Sequence, residues 1–298
     1  LGSHLVRVLL EHEPELRELR VFDLHIDPDV AHGAFLGAPK NSPPFLGCPG
    51  GARGSQELTP RVRLLQGDVG DAGAVGGALG GGRGAGRQSL INVWGRAPPR
   101  TSPASTCRQR GRPHVSVALR PTGIYGERHP LMAQFYRRGR AAGGWLPRTL
   151  PSHAEHGRVY AGNVAWMHLL AARAALRHPP AVGGEVFYCY DSSPYAAYED
   201  FNMLLLGPAG LRFGGPRAPR GLLVLLAHLN AFLRALLKPL CPYAPLLNPY
   251  TLAVASTPFT VATDKAQRRF GYRPLYSWEE ARGRTVSWIR QLDSGSKS

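Results

Sequence analysis

The chain has 298 residues, of which 43% are hydrophobic, enough for one large globular domain or a main domain with a smaller partner. Its 36 lysines and arginines outnumber 20 acidic residues, and the formal net charge of +16 would suit nucleic acid or an anionic membrane surface. Many arginines lie in the Gly/Pro-rich stretch 83–112, where Trp94 is the one aromatic residue suited to stacking. Since no nucleic-acid-binding motif is present, we expect no nucleic-acid partner.

The cysteines form no Cys-x-x-Cys pair, which argues against a metal site and against a disulfide framework. They are Cys48, Cys107, Cys189 and Cys241. This usage fits a reducing compartment. The chain does not open on the basic-then-apolar pattern of a signal peptide.

The first predicted elements are a helix and a strand that ends in an acid. Apolar residues of 1–10 fall on one helical face, and 19–23 is a strand pattern that ends at Asp23. A helix followed by such a strand is typical of the second half of a dinucleotide-binding βαβ unit, where the acid binds the ribose hydroxyls. Asp23 follows Gly2 by 21 positions, close to the expected spacing of about 20. A turn-forming aspartate is the alternative.

A second strand pattern, 61–69, stops at Gly67 and Asp68. An acid at this edge of a nucleotide-binding sheet can accept a hydrogen bond from the adenine amine, and a turn aspartate is again the alternative. The residues on either side, 28–60 and 70–114, are rich in glycine, proline and small residues, and we expect them to be loop-like or disordered.

The stretch 115–127 combines a predicted strand with a glycine-rich loop. Residues 115–119 are typical of a strand buried on both faces of a parallel sheet, and Arg120 and Pro121 are expected to end it. Residues 122–126 are then predicted to be a loop at the carboxyl edge of the sheet, where ligands bind in open α/β folds. An ordinary turn after a buried strand is the alternative.

The second half alternates helices and strands. We predict helices from residue 131 to 138, from an N-cap at Asn163 to residue 176, and from residue 278, with a turn over 143–147 and a strand over 185–190. His168 has no partner at metal-ligand spacing, so a helix-face or core histidine is favoured.

An apolar segment, 222–237, is shorter than the roughly 20 residues that span a bilayer. The basic residues Arg217, Arg220, Arg234 and Lys238 at its two ends suit anionic headgroups, so the pattern indicates an interfacial or re-entrant membrane segment. A hydrophobic helix buried in the fold is the alternative.

The order of four blocks resembles the 3β-hydroxysteroid dehydrogenase/isomerase family of extended short-chain dehydrogenases, and most of all its branch acting on C27 sterols in bile-acid synthesis. The blocks are Leu-Arg-Val-Phe-Asp at 19–23, Ala-Leu-Arg-Pro-Thr-Gly-Ile-Tyr-Gly-Glu at 118–127, the stretch 156–168, and the stretch 250–272. We find no resemblance over 96–114.

The resemblance implies an α/β fold with an incomplete Rossmann-type parallel sheet, divided into a partial NAD-binding part, 1–127, and a substrate-binding and C-terminal part, 128–298. It implies NAD-dependent oxidation of the 3β-hydroxyl of a sterol with Δ5-to-Δ4 isomerisation, at the endoplasmic reticulum membrane. The cofactor-binding residues by matching position are Gly2, Asp23, Asp68, Arg120 and Pro121. The candidate substrate-binding residues are Thr122, Tyr125, Tyr160 and Asn163.

The chain departs from the family at the proton-transfer residues. The family uses a Tyr whose pKa is lowered from about 10 by a Lys four residues later, with a Ser or Thr beside the substrate oxygen. No Tyr-x-x-x-Lys occurs anywhere in the chain, and 96–114 contains neither residue type. We also expect the first glycines of the phosphate loop to precede Leu1. We therefore interpret the chain as a truncated or mis-assembled enzyme, with no catalytic pair and with little or no dehydrogenase activity.

Overall fold

The computed structural model describes residues 1–14, 16, 18–23, 61–66, 115–215, 218–237, 245 and 247–294. These residues belong to two compact units. The first comprises the described residues within Leu1–Leu119, Val164–Phe187 and Arg269–Tyr272, and the second comprises those within Arg120–Asn163, Tyr188–Arg268 and Arg273–Ser298. The expected loops 28–60 and 70–114 lie outside the described residues. The functional boundary placed at residue 127 stays a prediction, because a division by packing does not test which part binds cofactor.

The first unit begins with the predicted helix and strands. Helix α1 is Gly2–His12, strand β1 is Glu18–Asp23 and strand β2 is Arg61–Gln66. The two strands pair in parallel, with Asp23 opposite Gln66 at their carboxyl ends. The parallel direction agrees with the βαβ interpretation, because parallel strands need a crossover connection.

Helix α1 is held by apolar packing and by one arginine. Leu5, Val8 and Leu9 form a buried cluster with Ala165 and Leu169 of helix α3, Ala161–Arg177. This is the apolar face that the sequence predicts for α1. At its end, the Arg173 guanidinium donates to the Glu13 carboxylate at 2.8 Å and to the His12 carbonyl oxygen.

The observed strand is one residue shorter than the one predicted over 115–119 and begins three residues later. Strand β3 is Ala118–Pro121, and it pairs with β8, Val186–Cys189, which follows the short helix α4, Pro179–Val182, and which the sequence predicts. Burial on both faces is wrong, because Ala118 and Arg120 are exposed. Arg120 and Pro121 are the last two residues of β3, so the strand ends at this pair as predicted, although both residues lie within it.

The loop predicted over 122–126 contains a strand. Strand β4, Gly123–Tyr125, pairs in parallel with β7, Arg158–Tyr160. The prediction is wrong here because the pairing depends on a partner about 35 residues later, which local composition does not reveal. Gly126 follows with a φ of 143°, which suits glycine alone.

Two further small sheets complete the strands of the second unit. Strand β5, Trp145–Pro147, pairs in parallel with β10, Arg212–Gly214, and β6, Glu155–His156, pairs antiparallel with β9, Ala196–Ala197. The turn predicted over 143–147 is therefore confined to its two glycines, since β5 occupies the rest.

Helices surround the core of the second unit. They are α2, Pro130–Ala141; α5, Tyr198–Leu206; and α9, Trp278–Ser294. Their apolar faces meet at fully buried side chains such as Phe201, Leu205 and Ile289. The Tyr136 hydroxyl donates to the Asp293 carboxylate at 2.6 Å, which ties α2 to α9. The predicted helices from 131 and 278 are thus confirmed.

The apolar segment forms helix α6, Arg220–Leu237, followed by α7, Pro249–Ser256, and α8, Asp264–Phe270. Only 11% of its 18-residue apolar window is buried, although its mean hydropathy is 1.5. By length and composition it is the single helix among the described residues that could cross a membrane. The described residues do not support the alternative of a core helix, because most of its large apolar side chains are exposed among them.

Candidate functional site

The predicted cofactor residues that the structure describes lie at the ends of elements. Gly2 is the first residue of α1, with open space around the position of a Cβ atom. Asp23 is the last residue of β1. Arg120 and Pro121 end β3 and are exposed, whereas Asp68 lies outside the described residues. Gly2 and Asp23 belong to the first unit, and Arg120 and Pro121 to the second.

The predicted substrate residues come together in the second unit, around strands β4 and β7. Thr122 joins β3 to β4 and is half-buried. Tyr125 and Tyr160 lie opposite each other in the register of β4 and β7, and their ring centroids are 5.7 Å apart. Asn163 lies one turn beyond β7 in helix α3 and is completely buried.

The two tyrosine hydroxyls are sealed inside the protein. The Tyr125 hydroxyl lies 2.8 Å from the Ser193 hydroxyl, and the Tyr160 hydroxyl donates to the Glu127 carboxylate at 2.8 Å. Burial raises the pKa of both phenols, and the negative charges of Asp191 at Tyr125 and of Glu127 at Tyr160 raise it further. Both therefore stay protonated at neutral pH.

A carboxylate that the sequence analysis did not select organises these groups. Asp191 accepts hydrogen bonds from the Tyr160 backbone N–H at 2.7 Å, from the Asn163 amide at 3.0 Å and from the Ser193 backbone N–H at 2.9 Å. It follows strand β8 by two positions, so it could have been found by the same strand-end rule that selected Asp23.

Asn163 is a clamp and not an N-cap. Helix α3 begins two residues earlier, at Ala161, so the predicted capping role is wrong. Its side-chain oxygen accepts from the Tyr276 backbone N–H at 2.8 Å, and its amide donates to the Tyr276 carbonyl at 2.9 Å as well as to Asp191. The Asn163 side chain thus binds both backbone polar groups of Tyr276, as a neighbouring β-strand would, and it fixes the position of the segment before α9.

The geometry assigns these groups to support of the fold. Tyr125 and Tyr160 are 2% and 1% exposed, and their hydroxyls already have protein partners. A raised phenol pKa is also the opposite of what a proton-transfer tyrosine needs. Contact of these residues with a substrate stays a prediction.

His168 lies on helix α3, and its Nδ1 atom is 2.7 Å from the Val164 carbonyl oxygen, which agrees with the prediction of a helix-face or core histidine.

Comparison with known proteins identifies the family. The profile of the 3-beta hydroxysteroid dehydrogenase/isomerase family matches residues 104–218. The Homo sapiens protein "3 beta-hydroxysteroid dehydrogenase type 7" is 42% identical over 370 aligned positions, which cover 99% of this chain and 94% of that protein. The chain belongs to this family. A Vaccinia virus (strain Ankara) protein, "3 beta-hydroxysteroid dehydrogenase/Delta 5-->4-isomerase", is 40% identical over 178 positions, covering 60% of this chain and 50% of that protein.

The alignment also shows internal gaps. The 370 aligned positions exceed the 298 residues of the chain, so at least 72 positions (370 minus 298) of the human alignment face a gap in this chain. The family profile begins at residue 104. The prediction that 96–114 does not resemble the family is therefore wrong for residues 104–114, which lie inside the matched range.

The fold agrees with this membership. The crystal structure of gox2253 covers 97% of this chain and 94% of its own, with a TM-score of 0.53 and 17% sequence identity. At that identity the likeness concerns the fold alone. Together with the parallel strand pairs and flanking helices, it confirms the α/β class.

Replacing Asn163 tests the clamp. Asn163→Ala removes three hydrogen bonds and leaves buried polar groups of its partners without this side chain, so the free energy of unfolding should fall by about 2–4 kcal/mol in urea titrations. An Ala variant within about 0.5 kcal/mol of the wild type would contradict the assignment.

Asn163→Asp is the matched control, because it keeps the acceptor for Tyr276 and places a second carboxylate beside Asp191. Like charge and burial raise the pKa of the new carboxyl in the folded state. Its destabilisation should therefore be greatest at neutral pH and should decrease as the pH falls through that raised pKa.

Proposed function

We propose that the chain is built for NAD-dependent oxidation of the 3β-hydroxyl of Δ5 sterols with Δ5-to-Δ4 isomerisation, and that this chain itself turns over little or no sterol. The observation that carries the first part is the 42% identity across nearly the whole chain to a 3 beta-hydroxysteroid dehydrogenase. The second part depends on the sequence, which has no Tyr-x-x-x-Lys. A place in bile-acid synthesis belongs to the same proposal.

The missing pair matters because hydride loss from C3 requires removal of the hydroxyl proton. A tyrosine does this near neutral pH only when a neighbouring cation stabilises its phenolate. None of the four lysines lies four residues after a tyrosine. The buried Tyr125 and Tyr160 do not substitute for it, because their pKa values are raised and their hydroxyls are occupied.

Residues of the first unit support the choice of NAD. Asp23 ends β1 beside the parallel strand β2, which is where an acid binds the ribose hydroxyls of a dinucleotide and disfavours a 2′-phosphate. Gly2 opens α1, whose N-terminal N–H groups favour an anion such as a pyrophosphate. Bound NAD would accept the hydride, while Arg120 and Pro121 are proposed to line the nicotinamide.

A segment exchange tests the catalytic proposal. Residues 96–114 are replaced by the segment that the human relative carries between the same flanking blocks, and sterol-dependent NADH formation is measured. We expect no rate above background for the chain as it is, and a clear rate for the exchange variant, because general acid–base catalysis supplies roughly 10²–10⁴-fold.

The same exchange with its Tyr replaced by Phe is the control and should be inactive. Sterol-dependent NADH formation by the unmodified chain would contradict the proposal.

The alternative is a non-catalytic, sterol- or membrane-binding remnant. It predicts lipid binding without NAD affinity, so a calorimetric NAD titration separates the two.

We also propose that helix α6 attaches the protein to a membrane surface, at the endoplasmic reticulum. Its exposed face carries Leu225, Leu229, Phe232 and Leu236, which recur at helical spacing and are 48–65% exposed. Eighteen residues extend about 27 Å, slightly less than the roughly 30 Å of a bilayer core. Its opposite face is buried at Leu223 and Ala227, which favours a helix lying in the interface over one that spans.

Flotation with vesicles tests this attachment. The double variant Leu225→Glu/Phe232→Glu should bind phosphatidylcholine vesicles at least about 10-fold less than the wild type, since each side chain contributes roughly 1.5–3 kcal/mol on burial. Ala235→Glu adds one negative charge, half of that in the double variant, beside that face and should bind normally. Equal flotation of all three proteins would contradict the proposal. A fluorescently tagged chain should colocalise with endoplasmic reticulum membranes.

A further inference from the structure

Arg158 is a buried cation without a charge partner in the described part of the chain. It begins strand β7 and is 9% exposed. Its Nε and Nη2 atoms are buried and form no hydrogen bond. The guanidinium stacks on the rings of Tyr198 at 4.5 Å and Phe201 at 5.4 Å. These ring faces stabilise a cation, and the Tyr198 side chain also accepts a hydrogen bond from the guanidinium, but Nε and Nη2 stay unpaired.

The arrangement is costly as it stands. Burying Nε and Nη2 without an acceptor forfeits their hydration, and burial lowers the pKa of Arg158 although its contact with Tyr198 acts in the opposite direction. The two unpaired atoms lie on one edge of the planar guanidinium, which is the edge that binds both oxygens of a carboxylate at once. The vacant edge is thus matched in shape to a planar, two-oxygen anion.

Arg158 lies on the wall of a cavity of about 190 Å³ in the second unit. Most of the other walls are apolar or aromatic, and none of the lining residues is acidic. They are Gly123, Ile124, Tyr125, His129, Leu131, Met132, Phe135, Tyr198 and Asn202. The first turn of the 12-residue helix α2 contributes two of them, and a helix N-terminus favours negative charge. His129 does not compete, because burial and the Arg158 charge lower its pKa and keep it neutral.

The close approach of Arg158 to the wall depends on Gly123. A Cβ atom at that position would lie 2.7 Å from Cδ and from Nη1 of Arg158. The strand register places the two residues opposite each other in β4 and β7. The side chain is therefore folded flat against the β4 backbone, with the aromatic rings of Tyr198 and Phe201 against the guanidinium.

We propose that this cavity binds a small organic carboxylate, or the carboxylate end of a longer apolar molecule, through the vacant edge of Arg158, which is closed to water in this structure and turns toward the cavity when the carboxylate binds. A cavity of roughly 150 Å³ lined by apolar side chains accepts one benzene ring. The volume here therefore suits one ring or a short alkyl chain together with a carboxylate. The proposal does not depend on steroid oxidation, because a neutral sterol offers nothing to a buried guanidinium.

Calorimetric titration with benzoate tests the site, with benzamide as the neutral analogue and inorganic phosphate as the non-planar anion. The wild type should bind benzoate in preference to both. Arg158→Met should bind benzoate roughly 10- to 100-fold more weakly, the cost of losing charge-assisted hydrogen bonds. Arg137→Met, at an exposed arginine of α2, should bind like the wild type.

The melting temperature of Arg158→Met gives a second test. Because an unpaired buried cation is replaced by an apolar side chain of similar length, the melting temperature of Arg158→Met should equal or exceed that of the wild type. If Arg158→Met does not fold, the titration is repeated with Leu131→Trp. This variant fills the cavity and leaves Arg158 in place, so it should abolish benzoate binding. Equal binding of benzamide, binding of phosphate alone, or no benzoate binding at millimolar concentration would overturn the proposal.

Discussion

The polar network around Asn163 is the constraint on which the second unit depends. A buried asparagine must satisfy both its donors and its acceptor, and Asn163 does so with groups 28 and 113 residues away. One partner, Asp191, also receives the Tyr160 backbone N–H, which fixes the end of strand β7. Three distant segments are thereby joined at atoms that tolerate no slip of register.

The position of the aromatic core follows from this network. With Tyr160 fixed at the end of β7, its ring packs edge-on to Tyr276 at 5.4 Å and lies beside Tyr125. Tyr125 in turn contacts Phe201 at 5.1 Å, and the same ring of Phe201 lies beneath the Arg158 guanidinium. The unsatisfied edge of Arg158 is therefore held by the same packing that stabilises the fold, and does not result from a loose side chain.

Fold and chemistry are separable in this chain. The elements that carry the family resemblance build a packed α/β scaffold, whereas the proton-transfer pair of the family occurs nowhere in the sequence. A scaffold of this kind is stabilised by burial and by hydrogen bonds, and neither depends on a catalytic tyrosine. The tyrosines that resemble substrate contacts by position support the scaffold, and their contact with a substrate stays a prediction.

Sequence patterns predicted the elements whose signal is local. Helices α1, α2 and α9 have a repeating apolar face, and β1 and β8 are runs of apolar residues with clear ends, so each was found within a few residues. Strands β4 and β5 have three residues each, and they exist because of partners elsewhere in the chain. The clamp role of Asn163 and the unpaired edge of Arg158 are likewise tertiary, and no spacing in the sequence announces them.

Amide hydrogen exchange of the Tyr160 and Tyr276 backbone N–H groups tests the central claim most directly. Both groups donate to side chains of the network, to Asp191 and to Asn163 respectively, so they open only when the second unit unfolds. The account predicts that both amides exchange on the slowest timescale found in the protein, together with those in the middle of α9. Exchange of either amide at the rate of an unfolded peptide, while α9 stays protected, would contradict it.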